Sequence, residues 1–186
     1  MQKCAMVYKS HVSGELLSAI YDRILESKAL SSVFYDGACR TFDEFLDTFN
    51  ASDVHYWALF YEGELAGIAW LTGRVHKRAH GHFCMFQNVY GRSCEGVSKS
   101  VELARFVLSS WLRHKSGAGD EDYLLDVVVG ITPKRNRMAL KWLLRVGAVR
   151  CCEIPYGVWM ADSGESETAV LSVITRESTD AEWMNK

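Results

Sequence analysis

Apolar side chains change their period along this chain, and the changes predict its elements. Over residues 14–27, Leu16, Leu17, Ile20 and Ile24 recur at helical spacing behind Ser13, a residue suited to an N-cap. Residues 41–49 predict a second short helix. Thr41 stands three positions before Glu44, the capping-box pattern, and Phe42, Phe45, Leu46 and Phe49 share one face. A short strand is expected before these, at 6–8.

The period then shortens. Residues 54–61 and 65–74 are dense in aromatic and β-branched side chains and flank Glu62-Gly63-Glu64, which predicts a hairpin. Residues 80–90 read as a further strand, and 91–98 as a loop of small residues. An amphipathic helix follows over 99–115, with Val101, Leu103, Ala104, Val107, Leu108 and Trp111 facing the core. The nearly unbroken apolar run 124–131 suits a buried parallel strand. A helix over 136–146 ends at Gly147, and strands 148–160 and 168–176 complete the chain, with the last ten residues expected to fray. The order β-α-α-β-β-β-α-β-α-β-β makes an α+β single domain. Its sheet is mixed and mostly antiparallel, with about seven strands flanked by about four helices.

Composition narrows the function. The 186 residues are 48% hydrophobic and 24% charged, an ordinary globular balance that excludes a disordered tail, a collagen repeat and a charge-rich coiled coil. With 23 acidic against 21 basic side chains, phosphate-backbone binding is not expected as the main activity, so nucleic acid is not an expected partner. The longest stretch without a charged side chain is 13 residues, 79–91, too short for a spanning helix. The opening residues lack the apolar core of a signal peptide, and a cytoplasmic protein is expected. The six cysteines show no C-x-x-C, and Cys151 and Cys152 are adjacent, which suits neither zinc nor a disulfide framework. They are expected to be free and mostly buried, or to include one reactive thiol, for which Cys94 in its polar loop is the candidate.

Chemistry concentrates in two segments. The first is the loop Gly91-Arg92-Ser93-Cys94-Glu95-Gly96-Val97-Ser98, which opens the long helix. Free N–H groups and the positive end of the helix dipole make such a start an anion site, Gly96 permits close backbone approach, and Arg92 adds a cation. A plain helix start reads the same way. It is not a P-loop or a dinucleotide fingerprint, since neither glycine pattern is present.

The second segment runs from Val128 to Ala148. Its strand followed by Asn136-x-x-Ala139 and a helix ending at Gly147 resembles the GNAT superfamily of N-acetyltransferases. The element order agrees, and the resemblance extends from Ala51 to about Arg176. Three positions depart from the family pattern. Gly96-Val97-Ser98 fits the second half of the phosphate loop, but its basic position falls on Ser93, with Arg92 one residue early. Leu143 stands where many members carry a tyrosine that protonates the departing thiolate, and Ala148 replaces the usual aromatic.

The resemblance implies acetyl transfer from acetyl-CoA to a primary amine by direct attack, in a monomer or homodimer without a metal. It implies that the third and fifth strands, counting 6–8 as the first, part to admit pantetheine. Backbone groups near Gln87, Asn88 and Val89 would pair with it as an added strand, and an N–H near Val89 would stabilise the oxyanion. The pyrophosphate would rest on the N–H groups of Gly96, Val97 and Ser98, and Asn136 would anchor the pantetheine arm. A lysine-type amine, of pKa about 10.4, costs roughly 4.6 kcal/mol to hold neutral at pH 7, so a base is useful. His82 is the candidate, with Glu62 and Glu64 as alternatives; a plain strand histidine is the competing reading. Tyr156, a water or nothing would serve as the thiolate acid, and strand packing is the competing role for Tyr156. Arg74, Lys77 and Arg78 form a basic connection, either a solvated tip or a contact for an acidic substrate or the adenosine 3′-phosphate. A non-catalytic domain of the same fold, binding acyl-CoA or a protein, and an unrelated α+β interaction protein are the other readings.

Overall fold

The computed structural model describes residues 3–93, 96–115 and 123–183. Seven strands form one sheet: β1 (Cys4–Tyr8), β2 (His55–Tyr61), β3 (Glu64–Val75), β4 (Arg78–Met85), β5 (Val127–Pro133), β6 (Val149–Met160) and β7 (Glu165–Thr175). Their order across it is β1-β2-β3-β4-β5-β7-β6. All neighbours are antiparallel except β4 and β5. Six helices accompany the sheet: α1 (Gly14–Glu26), α2 (Leu30–Val33), α3 (Phe42–Asn50), α4 (Lys99–Arg113), α5 (Arg137–Val146) and α6 (Arg176–Trp183).

The helix ends follow the local chemistry of the sequence. Ser13 Oγ accepts from the Leu16 N–H at 3.2 Å, and Thr41 and Glu44 form a reciprocal capping box. Gly147 ends α5 at φ 107°, where a side chain would be strained. Two helices exceed the four expected. α2 is a single turn, too short for a periodic signal. α6 occupies residues expected to fray: Arg176 ties its start to the Leu125 carbonyl at 2.7 Å and to Asp126 at 2.8 Å.

The sheet is covered on both faces. On one, α1 and α3 pack Leu17, Ile20, Ile24, Phe45 and Phe49 onto Tyr56, Ile68, Trp70 and Cys84. Phe45 and Phe49 are fully buried, with ring centroids 4.5 Å apart. On the other, α4 packs Leu103, Val107, Leu108 and Trp111 onto Leu59, Ala69, Ala79 and Val128. Alternation along β4 therefore sends Cys84 to the α1–α3 side and Phe83 to the α4 side, against Trp111 and Trp142.

β6 is the exception. It is an outer strand, and Cys151, Cys152 and Trp159 on it are exposed. Cys4, Cys39 and Cys84 are buried, and Cys94 lies outside the described residues. Among the described residues no helix is long and apolar enough to cross a membrane, and no three His, Cys, Asp or Glu gather as a metal site.

Candidate active site

The central parallel pair is joined only at its start. β4 and β5 match over Arg78↔Val127, Ala79↔Val128 and His80↔Val129, and over no later pair. β4 continues to Met85 against β3, and β5 continues to Pro133 against β7. The strands therefore part after His80, and the wedge between them opens toward Met85 and Pro133. The parting strands are the fourth and fifth, not the third and fifth, because β4 lies between β3 and β5.

Gly81 sets the apex. A Cβ there would fall 2.4 Å from Val128 Cγ1, so only glycine lets β5 approach this closely before diverging. Above the apex an apolar cavity of about 20 Å³ is lined by Gly81, Phe83, Val128, Gly130, Leu143 and Ala148, among others. Leu143 thus stands in the wall of the wedge and itself offers no hydroxyl, while Ser172 of β7 lines the same cavity.

His82 lies beside the apex on the opposite face. Its ring stacks on Trp70 and its Nε2 is 3.0 Å from Thr72 Oγ1. Burial, then the neighbouring His80, push its pKa down to about 4, while Asp36 in the α2–α3 connection pulls the other way. His82 is therefore a neutral imidazole at pH 7. Tyr35, next to Asp36, packs against the cluster of Val158, Met160 and Ala169 on β6 and β7, as does Ile131 of β5, and its carbonyl accepts from the Ala161 N–H at 2.8 Å. The α2–α3 connection so spans from β4 to the β6–β7 turn across this face of the wedge.

The remaining predicted base and acid residues lie elsewhere. Glu62 sits in the β2–β3 turn at φ 52°, 3.8 Å from Lys99 at the first turn of α4, and Glu64 opens β3. Tyr156 is 81% exposed on β6, in a bulge at φ 54°, with β7 between it and β5. The structure does not bring it to the wedge. The Arg74–Arg78 connection joins β3 to β4 at the closed end of the wedge, away from the loop that opens α4.

At the open end, the extended strand expected through 90 stops at Met85. Gln87–Val89 is a 3-10 turn. The Val89 N–H is spent on the Phe86 carbonyl at 3.2 Å, so it does not serve an oxyanion. Asn88 donates to the Leu65 carbonyl at 3.1 Å, and its Oδ1 is buried without a hydrogen-bond partner among the described residues. Gln87 is exposed.

The loop before α4 closes on itself. The Ser93 N–H donates to the Val97 carbonyl at 2.7 Å, the Lys99 N–H to the Gly91 carbonyl at 3.1 Å, and Arg92 faces Ser98. Gly96 has φ 80°, and its N–H is spent on the Ser93 carbonyl at 2.9 Å. The Val97 and Ser98 N–H groups have no partner among the described residues. Ser93 Oγ is buried and equally unpartnered, and the Arg92 side chain is exposed. Two free N–H groups, an orphaned hydroxyl and an exposed guanidinium fit a diphosphate.

Asn136 caps α5, its Oδ1 accepting from the Ala139 N–H at 3.1 Å, which leaves Nδ2 as a donor beside the open end of β5. Sequence reasoning missed one link here. Trp142 Nε1 of α5 donates to Ser100 Oγ at 3.2 Å, and Ser100 Oγ lies 3.1 Å from Ser98 Oγ. These contacts tie the middle of α5 to the first turn of α4; helical spacing alone gives no sign of them.

No family model and no curated protein matches this chain in sequence. Solved structures do match. One is RimL, a ribosomal L7/L12 α-N-protein acetyltransferase, at TM-score 0.71 and 10% identity over 94% of this chain and 91% of that one. A second is an acetyltransferase from Salmonella typhimurium that modifies the N-terminal serine of L7/L12, at TM-score 0.69 and 11% identity over 94% and 96%. A third is spermidine N-acetyltransferase from Vibrio cholerae in complex with CoA and spermine, at TM-score 0.65 and 12% identity over 95% and 98%. With its parted central strands and a seven-stranded sheet matching over nearly its whole length, this chain has the GNAT N-acetyltransferase fold.

Proposed function

We propose that the protein is an acetyl-CoA-dependent N-acetyltransferase acting on a primary amine. The observation that carries this is the early end of the β4–β5 pairing after His80↔Val129, which leaves a gap for a linear ligand. The diphosphate rests on the N–H groups of Val97 and Ser98, with Ser93 Oγ and Arg92 beside them. Asn136 Nδ2 and the Asn88 amide flank the thioester arm. Acetyl-CoA supplies the activated acyl group.

The amine enters from the face that carries His82, Tyr35 and Asp36. As its nitrogen bonds to the acyl carbon, and before the C–S bond breaks with its electron pair leaving on the CoA thiolate, the amine loses basicity and must release a proton. His82 accepts that proton at Nδ1, which requires Nε2–H to donate to Thr72 Oγ1. A base with pKa about 4 is too weak to deprotonate a free ammonium, so the amine binds in its small neutral fraction.

A second reading has one specific observation behind it. Leu143 lines the wedge and Tyr156 lies on the outer strand, so no phenol from either position reaches the departing sulfur. Binding of acyl-CoA with slow or no turnover follows from that arrangement. Thermal melting tests both readings, and thiol release separates them. Acetyl-CoA at 100 times its Kd stabilises a binding fold by about 2.7 kcal/mol. No shift at millimolar acetyl-CoA overturns both readings. Thiol release against a panel of amines then decides turnover.

A further inference from the structure

The regular pairing of β6 with β7 is broken at two adjacent cysteines. Arg150 stands opposite Ser172 and Cys152 opposite Leu171, so neighbours on β7 match residues two apart on β6, and Cys151 is the extra residue of a bulge. Facing residues of paired strands share a side of the sheet. Ser172 lines the wedge cavity with Leu143 of α5, which puts Arg150 on the α5 side. Leu171, one position away, puts Cys152 on the opposite side. Alternation onward from Arg150 turns Cys151 to that same side. A regular strand sends neighbouring thiols to opposite faces; the bulge sets both on one.

That face is open at β6. The core under α1 and α3 is built with β2, β3 and β4 and includes no residue of β6. Both thiols are exposed, as is every residue from 149 to 157. Cys4, Cys39 and Cys84 are buried, so Cys151 and Cys152 are the accessible dithiol among the described residues.

The donor set selects the ligand. Glu153, opposite Val170, lies on the α5 side, where Arg150 and Lys134 hold its carboxylate. Among the described residues no three His, Cys, Asp or Glu gather, so the pair is not part of a tetrahedral zinc site. A direct disulfide is disfavoured too. Successive Cα atoms lie about 3.8 Å apart, short of the roughly 4.4–6.8 Å that disulfides span. Two sulfurs without a hard ligand suit a soft centre that two thiolates satisfy.

We propose that Cys151 and Cys152 form a chelating site for a thiophilic trivalent arsenic compound, preformed by the bulge in β6. With an organic arsenic(III) oxide, two S–As bonds form as the arsenic–oxygen bond breaks. Each thiol gives up its proton, and the oxygen leaves as water. Arsenic stays trivalent, so no oxidant or reductant takes part. The bridging arsenic atom lengthens the link between the sulfurs and relieves the ring that a direct S–S bond would tighten.

The inference does not depend on acetyl transfer, and its test does not use activity. Treated with phenylarsine oxide, the folded protein should gain the mass of one phenylarsenic group less two hydrogens in intact-mass spectrometry. The adduct should survive excess mercaptoethanol, which strips arsenic from single thiols, and yield to dimercaptopropanol. Cys151→Ser and Cys152→Ser should each lose the mercaptoethanol-resistant adduct while keeping the wild-type melting temperature, since both side chains are exposed. Cys94→Ser should retain it. Because the bulge belongs to the folded chain, phenylarsine oxide should also raise the wild-type melting temperature by a few degrees. Absence of the adduct in the wild type overturns the proposal. So does an adduct that persists in either single variant or disappears in Cys94→Ser. An unchanged melting temperature overturns it as well, because the unfolded pair would then bind equally tightly.

Discussion

The His82 imidazole lies flat against the Trp70 indole, with ring centroids 5.0 Å apart and planes 8° from parallel. This stacking places a titratable ring inside an aromatic layer and has a consequence for stability. With a pKa near 4 in the fold and 6.5 in the unfolded chain, His82 contributes its full stability above pH 6.5. Below that, the unfolded chain takes up a proton that the folded ring refuses. About 3 kcal/mol should be lost as pH falls from 6.5 to 4. His82→Gln should flatten this part of a urea-midpoint profile. An unchanged slope in the variant would remove His82 as its cause.

Gly81 should resist substitution more than Gly130, although both line the wedge. A Cβ on Gly81 meets Val128 Cγ1 at 2.4 Å, whereas one on Gly130 has only the Ser172 carbonyl at 3.9 Å. Gly81→Ala should cost about 1–3 kcal/mol in urea unfolding, and Gly130→Ala well under that. Equal costs would show that the apex is not tightly closed.

Leu143→Tyr places a phenol in the wall of the wedge. The adjoining cavity is only about 20 Å³, so overpacking should cost about 1–3 kcal/mol of stability. If turnover is slowed by an unprotonated thiolate, kcat should rise about tenfold or more, since a positioned acid is worth roughly 10²–10⁴-fold. A lower kcat with unchanged KM would show that sulfur protonation is not the slow step.

Gly96 tests the phosphate loop. At φ 80° any side chain is strained by about 1–2 kcal/mol, but a Cβ there meets nothing within 4 Å. Gly96→Ala should therefore keep acetyl-CoA binding within a few-fold, while Gly96→Glu abolishes it by bulk and like charge. Calorimetric titration of both variants separates strain from obstruction. Undiminished affinity in Gly96→Glu would move the diphosphate elsewhere.

Much of the fold is legible in the sequence because it is written in short-range chemistry. Ser13 and the Thr41–Glu44 pair cap their helices within four residues of chain, and Gly147 ends α5 by its own backbone freedom. The switch from helical spacing to dense aromatic and β-branched runs marks the strands, and the Asn136–Gly147 spacing points to the fold. Gly96 and its loop stand out by the same local chemistry, whereas Val97, Ser98 and Asn136 are singled out only by the resemblance to the family.

What the sequence determined, then, is that four longer helices and seven strands form, in what order, and which side chains share a face, since each depends on neighbours a few residues away. Tertiary structure alone decided which strands lie side by side. It placed β4 between β3 and β5, parted the central pair after His80, turned Gln87–Val89 so that the Val89 N–H is consumed, and set Tyr156 on an uncovered edge. Strand alternation fixes the face of a residue but carries nothing about the neighbouring strand, because that neighbour is chosen by contacts tens of residues away.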